Sequence, residues 1–179
     1  TNTPTNTPTP MPGGNCSDPL SIALNQCVTG STVGHTNDYS CGSGHAGADV
    51  VYEFSVPSTM DVTLIAESDY DGDWSLASTC SSTADDLGCW DREGTATDPS
   101  CSSLSHDDWG YLNYTVELTA GTYYIWIDGY YDYSEGNYSL EIIGNGTSPT
   151  NTPEPTNTSV PPTNTPLPAT NTPVPATNT

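Results

Sequence analysis

From Gly121 to Ile143 apolar and polar positions interleave around an acidic, aromatic centre: Gly-Thr-Tyr-Tyr-Ile-Trp-Ile-Asp-Gly-Tyr-Tyr-Asp-Tyr-Ser-Glu-Gly-Asn-Tyr-Ser-Leu-Glu-Ile-Ile. β-Branched and aromatic residues fill both halves, and Gly and Asp interrupt them where a turn is needed. The pattern predicts strands over Thr122–Asp128 and Gly136–Ile143. In the second, Tyr138, Leu140 and Ile142 share one face, and Asn137, Ser139, Glu141 and Ile143 the other. An antiparallel pair with one wet face is expected.

Other stretches extend this picture. Val50–Val56 reads as a strand stopped by Pro57. Met60–Glu67 alternates, with Met60, Val62, Leu64 and Ala66 inward and Asp61, Thr63 and Glu67 outward. Tyr111–Leu118 is another clear strand, and Trp74–Thr79 and Leu87–Trp90 are shorter ones. Leu20–Asn25 and Gln26–Thr32 suggest an edge hairpin. Gly34–Gly47 and Asp91–Trp109 read as loops. No segment holds a helical period for three turns. The expected fold is all-β, an antiparallel, jelly-roll-like β-sandwich.

Two flanks break the pattern. Residues 1–12 and 147–179 are Thr/Asn/Pro-rich arms built on Thr-Asn-Thr-Pro tetrads, and the sandwich is expected over 13–146. Frequent Pro fixes φ and removes donors, so helix and interior strand are excluded and extended coil or polyproline II remains. Thr/Pro-rich stalks are a usual setting for O-linked sugars. Thr3, Thr7, Thr9, Thr152, Thr165 and Thr172, each followed by Pro, are the first candidates. Asn137 begins an Asn-x-Ser sequon with Glu135 two positions earlier and is a candidate for N-linked sugar.

Charge narrows the function. The 179 residues carry one Lys or Arg (Arg92) against 22 Asp and Glu, a formal net charge of −21. Phosphate recognition draws on Lys and Arg, so the charge argues against nucleic acid and anionic membrane as partners. No apolar run is long enough to span a bilayer, and no signal peptide is visible at Thr1, so the chain is expected to be a processed product or part of a longer polypeptide. Six cysteines, Cys16, Cys27, Cys41, Cys80, Cys89 and Cys101, include no C-x-x-C pair. The even count favours disulfides and a secreted or cell-surface location.

At this point a family resemblance appears. Asp49-Val-Val-Tyr-Glu-Phe-Ser-Val56, Asp61-Val-Thr-Leu64, Ser68-Asp-Tyr-Asp71, Cys80 through Leu-Gly-Cys89, Ala120-Gly-Thr-Tyr-Tyr-Ile-Trp-Ile-Asp-Gly-Tyr130 and Gly136-Asn-Tyr-Ser-Leu140 occur in the order seen in bacterial pre-peptidase C-terminal (PPC) domains. The chain resembles that family over about Cys16 to Gly144. The resemblance implies a secreted, non-catalytic β-sandwich that accompanies hydrolases or repeats in surface proteins, and some relatives bind calcium or extracellular polymers. Spacing and this family-like context suggest a Cys80–Cys89 disulfide, with Cys16–Cys27 and Cys41–Cys101 preferred among the three pairings of the rest.

Candidate chemistry is sparse. Asp69, Asp71 and Asp73 place carboxylates at alternate positions, and Asp91 and Asp128 stand at strand ends that the fold could bring near them. Hard oxygen donors in this pattern point to Ca²⁺, although the bidentate Glu of an EF-hand is not at its spacing. His35, His45 and His106 lie in polar loops without a zincin or nucleophile-elbow pattern, so no catalytic residue is assigned. Tyr130, Tyr131 and Tyr133 beside Asp128 and Asp132 are candidates for stacking on sugar or anchoring a protein contact. The expected function is a non-catalytic bead of a bacterial surface fibre, self-assembled head to tail and bearing covalent glycans. The competing expectation is an accessory substrate- or polysaccharide-binding module of a secreted hydrolase.

Overall fold

The computed structural model describes residues 11–40, 46–82, 87–92, 96–97, 99–102 and 112–145. All of them lie in the unit Thr1–Gly146. Nine strands and no helix occur among the described residues: β1 Leu20–Ser21, β2 Gln26–Ser31, β3 Val50–Val56, β4 Met60–Ser68, β5 Gly72–Ala77, β6 Gly88–Arg92, β7 Leu112–Leu118, β8 Gly121–Gly129 and β9 Asn137–Gly144. They form a five-stranded sheet in the order β1-β3-β8-β5-β6 and a four-stranded sheet in the order β2-β9-β4-β7. Every pairing is antiparallel except β1 with β3.

The all-β sandwich expected from the sequence is the fold observed. Its core lies between the sheets. Tyr52, Phe54, Trp74, Leu76, Ile125 and Ile127 come from one sheet and Val62, Leu64, Leu112, Leu140 and Ile142 from the other. Each fully buried apolar side chain of this size stabilises the fold by roughly 1.5–3 kcal/mol. Tyr52 and Tyr138 enter the core from opposite sheets, edge to face at 6.3 Å, with hydroxyl oxygens 3.0 Å apart that satisfy each other.

Most strand positions match the sequence pattern, although Leu20–Asn25 is a strand only over Leu20–Ser21 and Asp91, expected to open a loop, lies in β6; two pairings do not match. Thr122–Asp128 and Gly136–Ile143 are not partners: β8 lies between β3 and β5, and β9 lies between β2 and β4 in the other sheet. The turn at 130–136 therefore crosses from sheet to sheet. The expected hairpin of Leu20–Asn25 with Gln26–Thr32 is absent for the same reason, since β1 joins β3 and β2 joins β9. A period of two fixes which face is apolar and says nothing about which strand is the neighbour.

The expected disulfides are also corrected. Cys80 is bonded to Cys16, with Cα atoms 5.5 Å apart, and Cys27 to Cys101, at 5.8 Å. Cys89 is disulfide-bonded as well, but not to Cys80. The geometry explains this. Cys89 stands opposite Ser75 in the β5–β6 ladder, whereas Cys80 lies five residues beyond Ser75, past the end of β5. At about 3.3 Å per residue along a strand that offset carries it well outside disulfide reach. Cys16–Cys27 and Cys41–Cys101 are overturned by the same two bonds, and Cys41 lies outside the described residues.

The two bonds join loops to the outer faces of the sheets. Cys16 and Cys80 pack against Tyr39, Val51 and Trp126 on the outside of the five-stranded sheet. Cys27 ties Cys101 to the outside of the four-stranded sheet, where Glu67 accepts hydrogen bonds from Ser100 N at 2.9 Å and Ser139 Oγ at 3.0 Å. This is why Glu67, expected to be outward and wet, is buried. The outer faces are partly roofed.

Candidate functional site

The strand register places four aspartates in a row across the outer face of the five-stranded sheet. Ile125 and Ile127 of β8 and Trp74 and Leu76 of β5 point into the main core, so Trp126, Asp128, Asp73 and Ser75 point away from it. Asp73 is the cross-strand partner of both Asp128 and Asp91. Asp49 immediately precedes Val50, the partner of Ile127, and so stands level with Asp128. The order across the sheet is Asp49, Asp128, Asp73, Asp91, with neighbours about 5 Å apart at the backbone. Asp49, Asp73 and Asp128 are 0% exposed, and Asp91 is exposed.

Residues 36–40 pack against the Asp49 end of the row. Asp38 N and Tyr39 N each donate to Asp49 Oδ2 at 2.7 Å, and Asp49 N donates to Thr36 O at 3.2 Å. Tyr39 stacks on Trp126 at 4.8 Å and 13°, and its hydroxyl donates to Ser75. Gly47 N donates to Gly129 O at 2.9 Å. Asp128 Oδ1 accepts from Gly129 N at 2.6 Å.

Of the five sequence-predicted cation residues, the fold brings Asp73, Asp91 and Asp128 together. Asp71 lies two residues before Asp73, beyond the strand end, with its carbonyl accepting from Tyr130 N. Asp69 is engaged elsewhere: Asn137 N donates to its Oδ1 at 2.7 Å and Asn137 Nδ2 to its Oδ2 at 2.9 Å. The sequence reading missed Asp49. Its signal is its position one residue before Val50, whose partner Ile127 precedes Asp128, visible only once β3 and β8 are paired. Among the described residues no three His, Cys, Asp or Glu side chains converge on one point as a ready-made metal site. The carboxylates form a line.

Like charges directly across a sheet destabilise it, and one Arg with no Lys in the whole chain gives little fixed positive charge to set against them. Burial pushes Asp49 up to about 7, against the hydrogen bonds from Tyr39 and Asp38 that favour its charged form. Burial, with the nearby Asp49 and Asp73 charges, pushes Asp128 up to about 8. The folded domain therefore holds protons that the unfolded chain, with carboxylates near 3.8, has released. Stability contributed this way is complete below about pH 4 and is lost as pH rises through about 7 to 8. In EDTA, melting is expected at a lower temperature at about pH 8.5 than at about pH 5. A melting temperature that rises over that interval would contradict this.

The second candidate site lies at the same end of the sandwich. Tyr131 and Tyr133 stack at 5.1 Å and 8°, and Tyr130 meets Tyr131 edge-on at 4.6 Å. Tyr131 is 45% and Tyr133 73% exposed. Ser134 braces the turn, donating its N–H to Tyr131 O at 2.8 Å and accepting from Tyr131 N at 3.1 Å. Asn137 is exposed. His35 is half-buried, with its pKa lowered by burial. His45, His106 and the candidate threonines Thr3, Thr7, Thr9, Thr152, Thr165 and Thr172 lie outside the described residues.

No family model and no curated protein matches the chain. Among solved structures it is similar to the pre-peptidase C-terminal domain of collagenase from Bacillus anthracis, at 18% identity over 70% of this chain and 94% of that one, with a TM-score of 0.42. It is also similar to a Salmonella Typhimurium periplasmic inhibitor of g-type lysozyme, at 12% identity over 70% and 97%, TM-score 0.35. A third is the C-terminal CBM6 module of a laminarinase from Zobellia galactanivorans, at 17% identity over 66% and 99%, TM-score 0.33.

Proposed function

We propose that the chain is a non-catalytic extracellular structural unit, a disulfide-bonded bead carried between O-glycosylated Thr/Pro arms in a surface fibre. The observation that supports this reading is where the chain enters and leaves the sandwich. Gly13 O accepts from Val51 N at the start of β3, and Asn145 N donates to Asp61 O beside the start of β4. β3 climbs the sandwich from Val50 to Val56, and β4 begins at the far end and descends. The two points therefore stand at opposite ends of the sandwich, about 20 Å apart along the strands. A unit threaded end to end transmits its axis to its neighbours, as a head-to-tail filament requires. Disulfides form and persist in oxidising compartments, which suits an extracellular location.

A second reading rests on the stacked, exposed Tyr131 and Tyr133. Flat aromatic faces of this kind suit stacking against sugar rings, and the module would then hold a partner enzyme on polysaccharide.

One set of measurements separates the two. For the fibre unit, intact mass of native protein is expected well above the bare-chain 18.8 kDa, with sugar on Thr-Pro peptides, and electron microscopy is expected to show filaments. A bare, monomeric chain that co-sediments with insoluble polysaccharide, and loses this on Tyr133→Ala, would replace the first reading with the second.

A further inference from the structure

The four large apolar side chains exposed among the described residues, Met11, Val33, Tyr131 and Tyr133, all belong to one end of the sandwich. Gly13, two residues after Met11, is bonded to Val51 at the start of β3, and Gly14 N donates to Met11 O at 3.2 Å. Val33 follows Thr32, whose N–H donates to Gly136 O at 2.9 Å just before β9. Met11 reaches the residue after Val33: a Cβ on Gly34 would stand 3.9 Å from Met11 Sδ. Met11 is 45% and Val33 52% exposed, an apolar knob where the chain enters.

The opposite end holds a cleft of about 560 Å³ lined by Ile22, Ala23, Leu24, Phe54 and Pro57. It exists because β1 is short. Ile22 N still donates to Glu53 O at 3.0 Å, but the chain then turns at Leu24 and Asn25 into β2 while β3 runs on to Val56. Val51 and Glu53 direct backbone groups toward this edge, so by alternation Ser55 presents its N–H and C=O to the same edge beyond the end of β1. A Cβ on Gly144 would stand 3.0 Å from Leu24 Cδ1, so the cleft sits beside the end of β9, where the chain leaves.

We propose that the entry end of one copy seats on the exit end of the next, with Met11 and Val33 against this cleft and the residues before Met11 lying along β3 at Ser55. The proposal rests on the fibre-unit reading and names its contact. Knob and cleft stand at opposite ends, so one contact leaves a knob and a cleft free, and the assembly propagates as a filament. Charge selects the same segment. Residues 1–12 hold no Asp, Glu, Lys or Arg, whereas the chain as a whole has a net charge of −21. A neutral segment approaches Glu53 at the cleft without like-charge repulsion, and its Thr and Asn side chains offer donors. Length permits the reach, since the ten residues before Met11 span about 30 Å when extended. Pro-rich segments suit such grooves because they are extended before they bind.

The test is sedimentation velocity of the full chain, with thermal melting of each variant as the check on folding. Wild type is expected to form oligomers that lengthen with concentration. Glu135, bonded to Gly34 N beside the knob, and Glu53 at the cleft carry the same sign. Raising NaCl from about 0.05 to 0.5 M is therefore expected to strengthen assembly. Met11→Asp and Ala23→Glu, both at exposed positions, are expected to melt as wild type and each to weaken assembly about tenfold or more. Pro57→Glu, also exposed in the cleft, replaces Ala23→Glu if that variant melts low. Mixed in equal amounts, the knob and cleft variants are expected to form a dimer that grows no further, because one intact knob meets one intact cleft. Undiminished assembly of both variants overturns this contact while leaving the fibre reading, which intact mass and microscopy of native material decide. A wild-type chain that stays monomeric up to about 1 mM, or assembly that salt weakens, also overturns the contact.

Discussion

Replacing Cys16 and Cys80 together by Ala is expected to destabilise the domain by about 4 kcal/mol, and replacing Cys27 and Cys101 by about as much. The reason is loop length. The bonds span sequence separations of 64 and 74 residues, and cross-links over long loops remove the most freedom from the unfolded chain. Small domains hold only about 5–15 kcal/mol in total, so losing both bonds consumes most of the stability. Urea denaturation of each pair variant measures this directly. The Cys16–Cys80 variant carries a second signature. Its bond packs beside Tyr39 and Trp126, so Trp126 emission is expected to shift toward that of a hydrated indole before global unfolding. The Cys27–Cys101 variant, fastened to the other sheet, is expected to lack that early shift. A midpoint change equivalent to under about 1 kcal/mol in either pair would show that native packing alone holds the roofs in place.

Gly129→Ala is expected to cost about 3 kcal/mol or more by overpacking. A Cβ at Gly129 would lie 2.0 Å from Ser134 O and 2.9 Å from Ser134 C, both backbone atoms that cannot rotate away. Relief on the opposite side is blocked. Gly47 is pressed against Gly129 so closely that a Cβ there would lie 2.4 Å from Gly129 Cα, and Gly47 N is bonded to Gly129 O. The segment at Gly47 and the turn bearing Tyr130 to Tyr133 therefore meet at one glycine. Gly121→Ala is the comparison: its Cβ meets nothing nearer than the Tyr123 ring at 3.6 Å, an ordinary contact. Thermal melting of the two variants is expected to separate them by roughly 10 °C. Equal melting temperatures would mean that the Gly47 segment and the turn move apart without cost.

Both effects arise from contacts between segments distant in sequence, and these are what the linear pattern conveys least. The stacked pair Tyr131 and Tyr133 was accessible from composition, since three tyrosines within four residues of an acidic turn have little apolar surface to hide against. Asp73 was legible as one of three alternating carboxylates, and Asp91 and Asp128 as acids at strand ends. Asp49 was not, because nothing near it in sequence marks it as a carboxylate facing another carboxylate. Cys80 and Cys89 looked like natural partners at a separation of nine residues, but the β5–β6 register carries Cys80 past the end of the ladder.

What the sequence by itself determined is local. Alternation in Met60–Glu67 and Gly136–Ile143 fixed which side chains enter the core, because successive side chains on a strand point to opposite faces. The acidic excess argued against phosphate-bearing partners, and the prolines of the arms argued against helix or interior strand there. Tertiary structure decided neighbours. It separated β8 from β9 into different sheets, paired Cys16 with Cys80 and Cys27 with Cys101, and lined Asp49, Asp128 and Asp73 across the outer face of one sheet. These outcomes depend on which apolar faces meet and which loops can close over them. That choice is made by the free energy of the whole sandwich, and any short stretch of the chain is compatible with several answers.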